Sequence, residues 1–249
     1  MKEAMEAEFD TVASWTAEVA FELGPRFHLP AACRGSGSPA VLKWLLDELR
    51  VTAADRMLDC GAGVGGPAAF AADRVGVRPI LTDLEAGACR GADRLFDLPV
   101  VQAGSDLPFR SGSFDVAWSL GVLCTVPDQS SLLEELRRVL TADGRLGLLV
   151  FVAQKALSRQ PQGNNFPTAD GLRTLLADAG LRMNSARKAA DLGAAPARWQ
   201  KLADAVDAEL AVRHRDDPVW QTAEEQSVLF GELLKNNELA GTLVVATPL

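Results

Sequence analysis

The segment MLDCGAGVGG, residues 57–66, joins a short apolar run to a helical pattern through a series of spaced glycines. Glycine permits the tight turn between a strand and a helix, and it allows the backbone to approach a ligand closely. The free N–H groups at the start of the following helix can bind an anionic or polar group. Asp83 ends the next apolar run, and an acid there typically accepts hydrogen bonds from ribose hydroxyls. The segment therefore predicts a nucleotide-type ligand at the carboxyl end of a parallel sheet.

Short apolar runs alternate with amphipathic stretches from about Ser38 onward, which indicates βαβ units and a parallel sheet. Ser38 and Thr168 are predicted to cap helices, and Asp143-Gly144 is predicted to form a turn. The predicted strands cover residues 56–60, 79–83, 99–103, 115–120, 145–152, 181–187 and 239–247. We therefore expect an α/β fold with a Rossmann-like, doubly wound, mostly parallel seven-stranded sheet and helices on both faces.

The composition is typical of a globular chain, because 48% of the 249 residues are hydrophobic and 23% are charged. The net charge of -8 argues against a nucleic-acid partner, since binding to phosphate backbones needs clustered positive charge. Four cysteines without a CxxC pair, together with two histidines, argue against a metal site and are typical of reduced thiols. The sequence offers neither the apolar region of a signal peptide nor a membrane-length apolar run, so we expect a cytoplasmic protein without membrane contact.

Four features make the sequence resemble the class I S-adenosylmethionine-dependent methyltransferases of the small-molecule, Rossmann-like type. They are Asp59 two residues before the first glycine, Asp83, the segment LPF…GSFD over 107–115, and ELRRVL at 135–140. The resemblance covers about residues 38–187. It implies S-adenosylmethionine as cofactor, S-adenosylhomocysteine as product, and in-line methyl transfer to a small-molecule acceptor.

The resemblance also implies which residues hold the cofactor. Asp59 would reach the amino group of the methionine part, Asp83 would hold the ribose, and Leu84 would pack on the adenine. Many relatives carry an Asp after the third strand that binds the adenine amino group, and Ala103 stands there in this sequence. Another side chain or a backbone carbonyl would have to replace it. The implied cofactor-binding set is Asp59, Gly61, Ala62, Gly63, Gly65, Asp83, Leu84, Ser105, Asp106, Ser119 and Leu120.

The acceptor side has few candidates. The loop after the fourth strand often carries a histidine in relatives, but here it reads Cys124-Thr125. His28 is the candidate catalytic base, with a surface position as the alternative. The candidate substrate contacts are Trp15, Cys124, Asn164 and Asn165. Their alternatives are a core anchor for Trp15, a buried structural thiol for Cys124 and a polar turn for the two asparagines.

We interpret residues 1–249 as a single methyltransferase domain. Residues 1–37 would form an N-terminal helical lid, 38–189 the cofactor-binding core, and 190–237 a helical insertion before the last strand. The expected partner is a small-molecule substrate, and the expected assembly is a monomer or homodimer. Two alternatives remain at this point. One is an S-adenosylmethionine-binding protein of the same fold without methyl transfer, and the other is an NAD(P)-dependent oxidoreductase, because residues 61–66 also match GxGxxG.

Overall fold

A twisted seven-stranded sheet forms the centre of the protein in a computed structural model, which describes the backbone of residues 2–249 and the side chains of residues 9–249. The strand order is β3-β2-β1-β4-β5-β7-β6. The strands are β1 Met57–Cys60, β2 Ile80–Asp83, β3 Val100–Gln102, β4 Phe114–Leu120, β5 Leu140–Ala153, β6 Leu181–Lys188 and β7 Leu239–Pro248. Strands β1 to β5 pair in parallel, whereas β7 runs antiparallel to both β5 and β6. The predicted α/β fold is thereby confirmed.

Helices flank both faces of this sheet. The helices are α1 Lys2–Leu23, α2 Pro25–Ala32, α3 Pro39–Glu48, α4 Gly66–Val75, α5 Ala86–Phe96, α6 Gln129–Val139, α7 Ala169–Asp178, α8 Ala197–His214 and α9 Pro218–Lys235, with a 3-10 turn at Ala189–Leu192. Neighbouring residues of β1 show the two faces, since side chains alternate along a strand. Met57 packs with Leu42 of α3, and Leu58 packs in the cluster that holds Leu132 of α6 and Leu172 of α7.

Two helix starts follow the sequence prediction. The hydroxyl of Ser38 accepts a hydrogen bond from the N–H of Val41 at 3.4 Å. The hydroxyl of Thr168 accepts one from the N–H of Gly171 at 3.1 Å. Both bonds satisfy N–H groups that the first helical turn leaves without an intrahelical partner.

The predicted turn at Asp143-Gly144 is wrong as a separate turn. Leu140 already pairs with Phe114 of β4, and Arg145 pairs with Val116. The intervening residues 141–144 therefore bulge within β5 instead of preceding it. Glycine and aspartate favour bulges as well as turns, so the local sequence does not separate the two outcomes.

Helix α5 has no counterpart among the sequence predictions. Its buried face consists mainly of small residues, namely Gly87, Ala88, Gly91 and Ala92, with Leu95 at the end. Large apolar residues at helical spacing are the usual signal of an amphipathic helix, and α5 has almost none. The small face serves close packing against α1, as described below.

The N-terminal helices and the segment before the last strand pack against each other. Ala17 of α1, Phe27 of α2, Val206 of α8 and Trp220 of α9 share one buried cluster. The end of α2 also reaches the start of α4, because a Cβ added at Gly66 would lie 2.4 Å from the carbonyl carbon of Ala32. Among the helices that the structure describes, none has the length and hydrophobicity needed to cross a membrane.

Candidate functional site

The turn between β1 and α4 is a run of left-handed glycines. Gly61, Gly63 and Gly65 have φ angles of 73°, 55° and 84°, which strongly favour glycine. Gly61 also lacks space for a side chain, since a Cβ there would lie 2.3 Å from Cγ2 of Val122, in the loop after β4. A Cβ at Gly63 would meet nothing within 4 Å. The backbone is therefore open at Gly63 and closely packed at Gly61. Ala62 between them is buried.

Asp59 lies at the centre of this edge and is almost completely buried, with 1% of its surface exposed. Its Oδ2 atom has no hydrogen-bond partner among the described residues. Burial raises the pKa of Asp59 to about 7, the charge of Asp83 adds to that rise, and the indole N–H of Trp118 and the backbone N–H of Ala68 oppose it. Trp118 pairs with Asp59 across β1 and β4, but its indole nitrogen makes no hydrogen bond of standard geometry. A buried, incompletely satisfied carboxylate indicates a site for a cationic or hydrogen-bond-donating ligand.

Asp83 is held at the end of β2 by two backbone bonds. Its Oδ2 accepts from the N–H of Gly63 at 2.7 Å, and its Oδ1 accepts from the N–H of Glu85 at 3.0 Å. Burial raises the pKa of Asp83, while these backbone bonds lower it. A carboxylate has about four acceptor positions, so each oxygen keeps capacity for a further donor. The arrangement joins the glycine turn directly to the acid predicted to hold a ribose.

The remaining predicted cofactor residues surround the same edge. Ser119 and Leu120 are buried at the end of β4, and the hydroxyl oxygen of Ser119 has no partner among the described residues. Leu84 is 50% exposed, and its Cδ1 would lie 3.5 Å from a Cβ added at Gly104. A broad apolar side chain beside an open backbone segment can accept a flat aromatic ring. Ser105 is half-buried and Asp106 is exposed in the loop that follows.

Two residues of the ELRRVL segment, 135–140, hold the end of that loop through hydrogen bonds to its backbone. Arg138 donates to the carbonyl oxygens of Phe109 at 2.7 Å and of Leu107 at 3.0 Å, and Glu135 accepts from the N–H of Leu107 at 3.0 Å. Arg138 also pairs with Glu135 at 2.5 Å and lowers its pKa. The two motifs predicted to mark a family thus hydrogen-bond to each other, and together they hold the start of the segment that follows Ser105 and Asp106.

Comparisons with known proteins agree with this geometry. The sequence profile of a family described as a methyltransferase domain matches residues 58–148, from β1 into β5. Residues 58–148 are therefore similar to a methyltransferase domain. The matched segment contains Asp59, Asp83 and the Glu135–Arg138 pair. This match favours a methyltransferase over the oxidoreductase alternative that residues 61–66 had left open.

Individual curated proteins are similar to this chain in sequence, and individual solved proteins are similar to it in structure. The methyltransferase GfsG of Streptomyces halstedii is 31% identical over 124 residues, which are 45% of this chain and 44% of that protein. The chain thus matches less than half the length of this relative. The 4+2 cyclase SpnF has a similar structure, with a TM-score of 0.68 at 18% identity, covering 86% of this chain and 84% of that chain. The geranyl diphosphate C-methyltransferase of Streptomyces coelicolor A3(2) has a TM-score of 0.63 at 18% identity, covering 84% and 76%.

The residues present fit S-adenosylmethionine. Asp59 offers an unpartnered buried oxygen to an ammonium group, Gly63 leaves open space beside the backbone, and Asp83 keeps acceptor capacity for a ribose. The hydroxyl of Ser119 is a second unpartnered group near the same turn. Unpaired buried polar groups are rare in native structures and commonly mark a binding site. Their clustering at the glycine turn is what a polar, positively charged ligand would require.

The acceptor-side candidates mostly serve the protein's own structure. Cys124 is buried, its thiol donates to the carbonyl oxygen of Phe151 at 3.3 Å, and burial raises its pKa to about 11. The N–H of Asn165 donates to the carbonyl oxygen of Cys124 at 2.7 Å, while the side-chain amide of Asn164 donates to Gln162. Asn165 itself is exposed. Cys124 and the two asparagines therefore lie close together, but their described hydrogen bonds join loop segments of the protein to one another.

Gln129 is the residue at this edge that the sequence analysis missed. Its side-chain amide donates to the carbonyl oxygens of Leu123 at 2.9 Å and of Asn165 at 2.7 Å. It thereby joins the loop after β4 to the loop after β5. Only 7% of its surface is exposed. A lone glutamine at the start of a helix carries no sequence signal for such a bridge, because the two carbonyls come from distant segments.

His28 and Trp15 lie among the N-terminal helices. His28 packs edge-on against Phe96, at the end of α5 opposite to the one that follows Asp83, and burial lowers its pKa. Phe96 in turn lies beside the glycine turn, because a Cβ added at Gly65 would lie 3.4 Å from its Cδ2. Trp15 stacks on His214 with ring centroids 3.7 Å apart. His28 therefore contacts a ring that borders the glycine turn, and its catalytic role stays a prediction.

Proposed function

We propose that the protein is an S-adenosylmethionine-dependent methyltransferase that acts on a small-molecule acceptor. The buried carboxylate of Asp59, with one oxygen unpartnered beside the glycine turn, carries this proposal. A buried carboxyl group without a described cation beside it favours a cofactor with an ammonium group, which would stabilise its ionised form. The matched methyltransferase profile over residues 58–148 supports the same chemistry.

The protein's part in the reaction is mainly positioning. When bound, the sulfonium supplies an activated methyl group and a neutral leaving group for in-line displacement. Asp59 would hold the amino group, Asp83 would accept from the ribose hydroxyls, and the open backbone at Gly63 would admit the methionine part. Orientation of two reactants can lower a barrier by about 7–11 kcal/mol, so the reaction does not require a fixed set of catalytic side chains.

Binding of S-adenosylhomocysteine, measured by isothermal calorimetry, tests the proposal. Wild-type protein should bind with a Kd in the micromolar range. Asp83→Ala should weaken binding by about 10–150-fold, because hydrogen bonds to a charged group contribute about 1.5–3 kcal/mol. Asp143→Ala is the matched control, since Asp143 is an exposed carboxylate in the bulge of β5. Equal affinities of the two variants would contradict the assignment of the ribose to Asp83.

A second candidate function is cofactor binding without methyl transfer. The burial and raised pKa of Cys124 favour this second function, because the thiol is neutral near pH 7 and cannot act as a base. The loop after β4 also carries no histidine that could act as the base instead. The structural neighbour SpnF, a 4+2 cyclase, has a similar fold. Incubation with methyl-labelled S-adenosylmethionine and a panel of small molecules separates the two functions. Labelled product supports the first, and tight binding without any product supports the second.

The expected setting of this activity also remains a proposal. All four cysteines are free, three of them buried, which supports reduced thiols and hence a cytoplasmic location. The acidic charge supports a small-molecule substrate without nucleic-acid or membrane partners. Residues 1–37 would close over the cofactor as a lid, with Ala32 against Gly66 as the contact that supports it. Light scattering after size-exclusion chromatography would decide between the two proposed assemblies, a monomer and a homodimer.

A further inference from the structure

Helix α1 approaches helix α5 closely, at two glycines one helical turn apart. A Cβ added at Gly87 would lie 2.1 Å from the hydroxyl oxygen of Ser14. A Cβ added at Gly91 would lie 2.8 Å from Cβ of Ala17. Both distances are shorter than real Cβ contacts, so only glycine permits this crossing. The position of α1 is therefore fixed against the helix that begins immediately after Asp83.

Asp10 occupies the end of this contact. Its Oδ1 accepts a hydrogen bond from the backbone N–H of Gly87, in the first turn of α5. Asp83 accepts from the N–H of Glu85 in the same turn, at 3.0 Å. Negative charge near a helix N-terminus is stabilised by the helix dipole, so α5 can hold both carboxylates. The two acids lie close enough for the charge of Asp10 to raise the pKa of Asp83.

We propose that Asp10 is a positioning residue for the cofactor's ribose, acting through the turn that carries Asp83. This inference rests on the proposed function. Asp10 fixes the N–H of Gly87, and thereby the backbone of the turn, while Asp83 holds Gly63 and Glu85 from the other side. The nearby unpartnered Oδ2 of Asp59 is an independent indication that a ligand binds beside this turn.

The consequence is a coupling between α1 and the sugar. Each oxygen of Asp83 already accepts one backbone N–H, so only certain directions remain for ribose hydroxyls. A shift of the turn would misalign those directions even if Asp83 stayed ionised. The packing of α1 on α5 and the binding of the ribose should therefore strengthen each other, because both use the same turn.

The test compares two ligands, S-adenosylhomocysteine and its 2′-deoxy analogue, by calorimetry on the full chain. In Asp10→Ala the preference for the ribose form should fall by about 5-fold, within the range of coupling between neighbouring groups. Asp10→Asn should restore most of the preference, since an amide oxygen can still accept from Gly87. Glu18→Ala is the matched control, because Glu18 is an exposed acid on the same helix. It should leave the preference unchanged.

A purely structural role for Asp10 predicts a different pattern. Asp10→Ala would then lower the melting temperature and weaken both ligands equally, with an unchanged preference, and this result would overturn the inference. Gly87→Ala provides a second route, since its Cβ displaces α1 without removing a carboxylate, and it should also reduce the preference. If wild-type protein binds neither ligand, the proposed function fails as well. If it binds both and Asp83→Ala weakens binding while Asp10→Ala keeps the preference, only the role of Asp10 fails.

Discussion

The carboxyl end of the sheet has two halves that use polar groups in opposite ways. In the cofactor half, at the ends of β1, β2 and β4, Asp59 and Ser119 are buried with unpartnered oxygens. In the proposed acceptor half, formed by the loops after β4 and β5, the side chains of Gln129 and Cys124 donate hydrogen bonds to backbone carbonyl oxygens. The cofactor half is thus prepared for a ligand, whereas the acceptor half is stabilised without one.

Because of this difference, the side chains of the cofactor half indicate the chemistry of the cofactor, whereas those of the proposed acceptor half do not indicate the chemistry of the acceptor. A buried group without a partner restricts the chemistry of whatever completes it. A loop whose polar groups are already hydrogen-bonded within the protein leaves none of them to select a ligand. The described hydrogen bonds of the proposed acceptor half are therefore internal to the protein, whereas those of the cofactor half leave oxygens for a ligand.

The largest expected effect concerns Asp59, whose burial in the cofactor half raises its pKa from 3.8 to about 7. A raised pKa means that the folded protein binds a proton that the unfolded chain has released. Stability should therefore fall as the pH rises from about 4 to about 7, by about 4 kcal/mol in total for this group. Asp59→Asn, which stays neutral, should be more stable than wild type at pH 8 and similar at pH 4. Urea unfolding of the unliganded proteins at both pH values measures the difference.

The same variant should lose S-adenosylhomocysteine binding, because an amide cannot replace the charge opposite an ammonium group. Asp47→Asn is a suitable control, since Asp47 is an exposed acid on α3. A stability difference that stays constant with pH would refute the assignment of the proton to Asp59. Full binding by Asp59→Asn would refute its role toward the cofactor.

A smaller effect is expected from alanine at Gly63, compared with alanine at Gly112. Both glycines have positive φ angles, 55° and 68°, and a Cβ at either meets nothing within 4 Å. Each substitution should destabilise the protein by roughly 1–2 kcal/mol, because alanine is strained in this conformation. Only Gly63→Ala should also weaken S-adenosylhomocysteine, by about 10-fold, since its Cβ would occupy the space left for the ligand. Calorimetry and urea unfolding on the pair provide the readout, and equal affinities would place the cofactor elsewhere.

The smallest effect on binding is expected in the acceptor half. Gln129→Met removes both amide donors while it nearly preserves the side-chain shape, leaving two carbonyls unpaired. The free energy of unfolding should fall by about 1–3 kcal/mol. The Kd for S-adenosylhomocysteine should change by less than about 2-fold, because the bridge stabilises loops outside the cofactor half. Gln200→Met, which removes an exposed side-chain bond to Asp204, should change neither quantity measurably. A large loss of cofactor affinity in Gln129→Met would mean that the two halves are not separate.

The sequence alone determined the elements that have strong local signals. Ser38 predicted the start of α3, and the glycines after β1 predicted the turn, because capping and backbone conformation are local properties. Asp83 could be assigned for the same reason, since it ends a recognisable strand, whereas Asp59, inside β1, was assigned from the family resemblance.

Only the tertiary structure decided the features that depend on contacts between distant segments. The small residues on one face of α5 allow α1 to pack closely against it. Gln129 donates hydrogen bonds to carbonyl oxygens of two separate loops. The burial that raises the pKa of Asp59 comes from several elements together, as does the contact of Asp10 with Gly87. Such contacts leave no periodic pattern in the chain, because the partners are far apart in sequence and meet only after the sheet and its helices have packed.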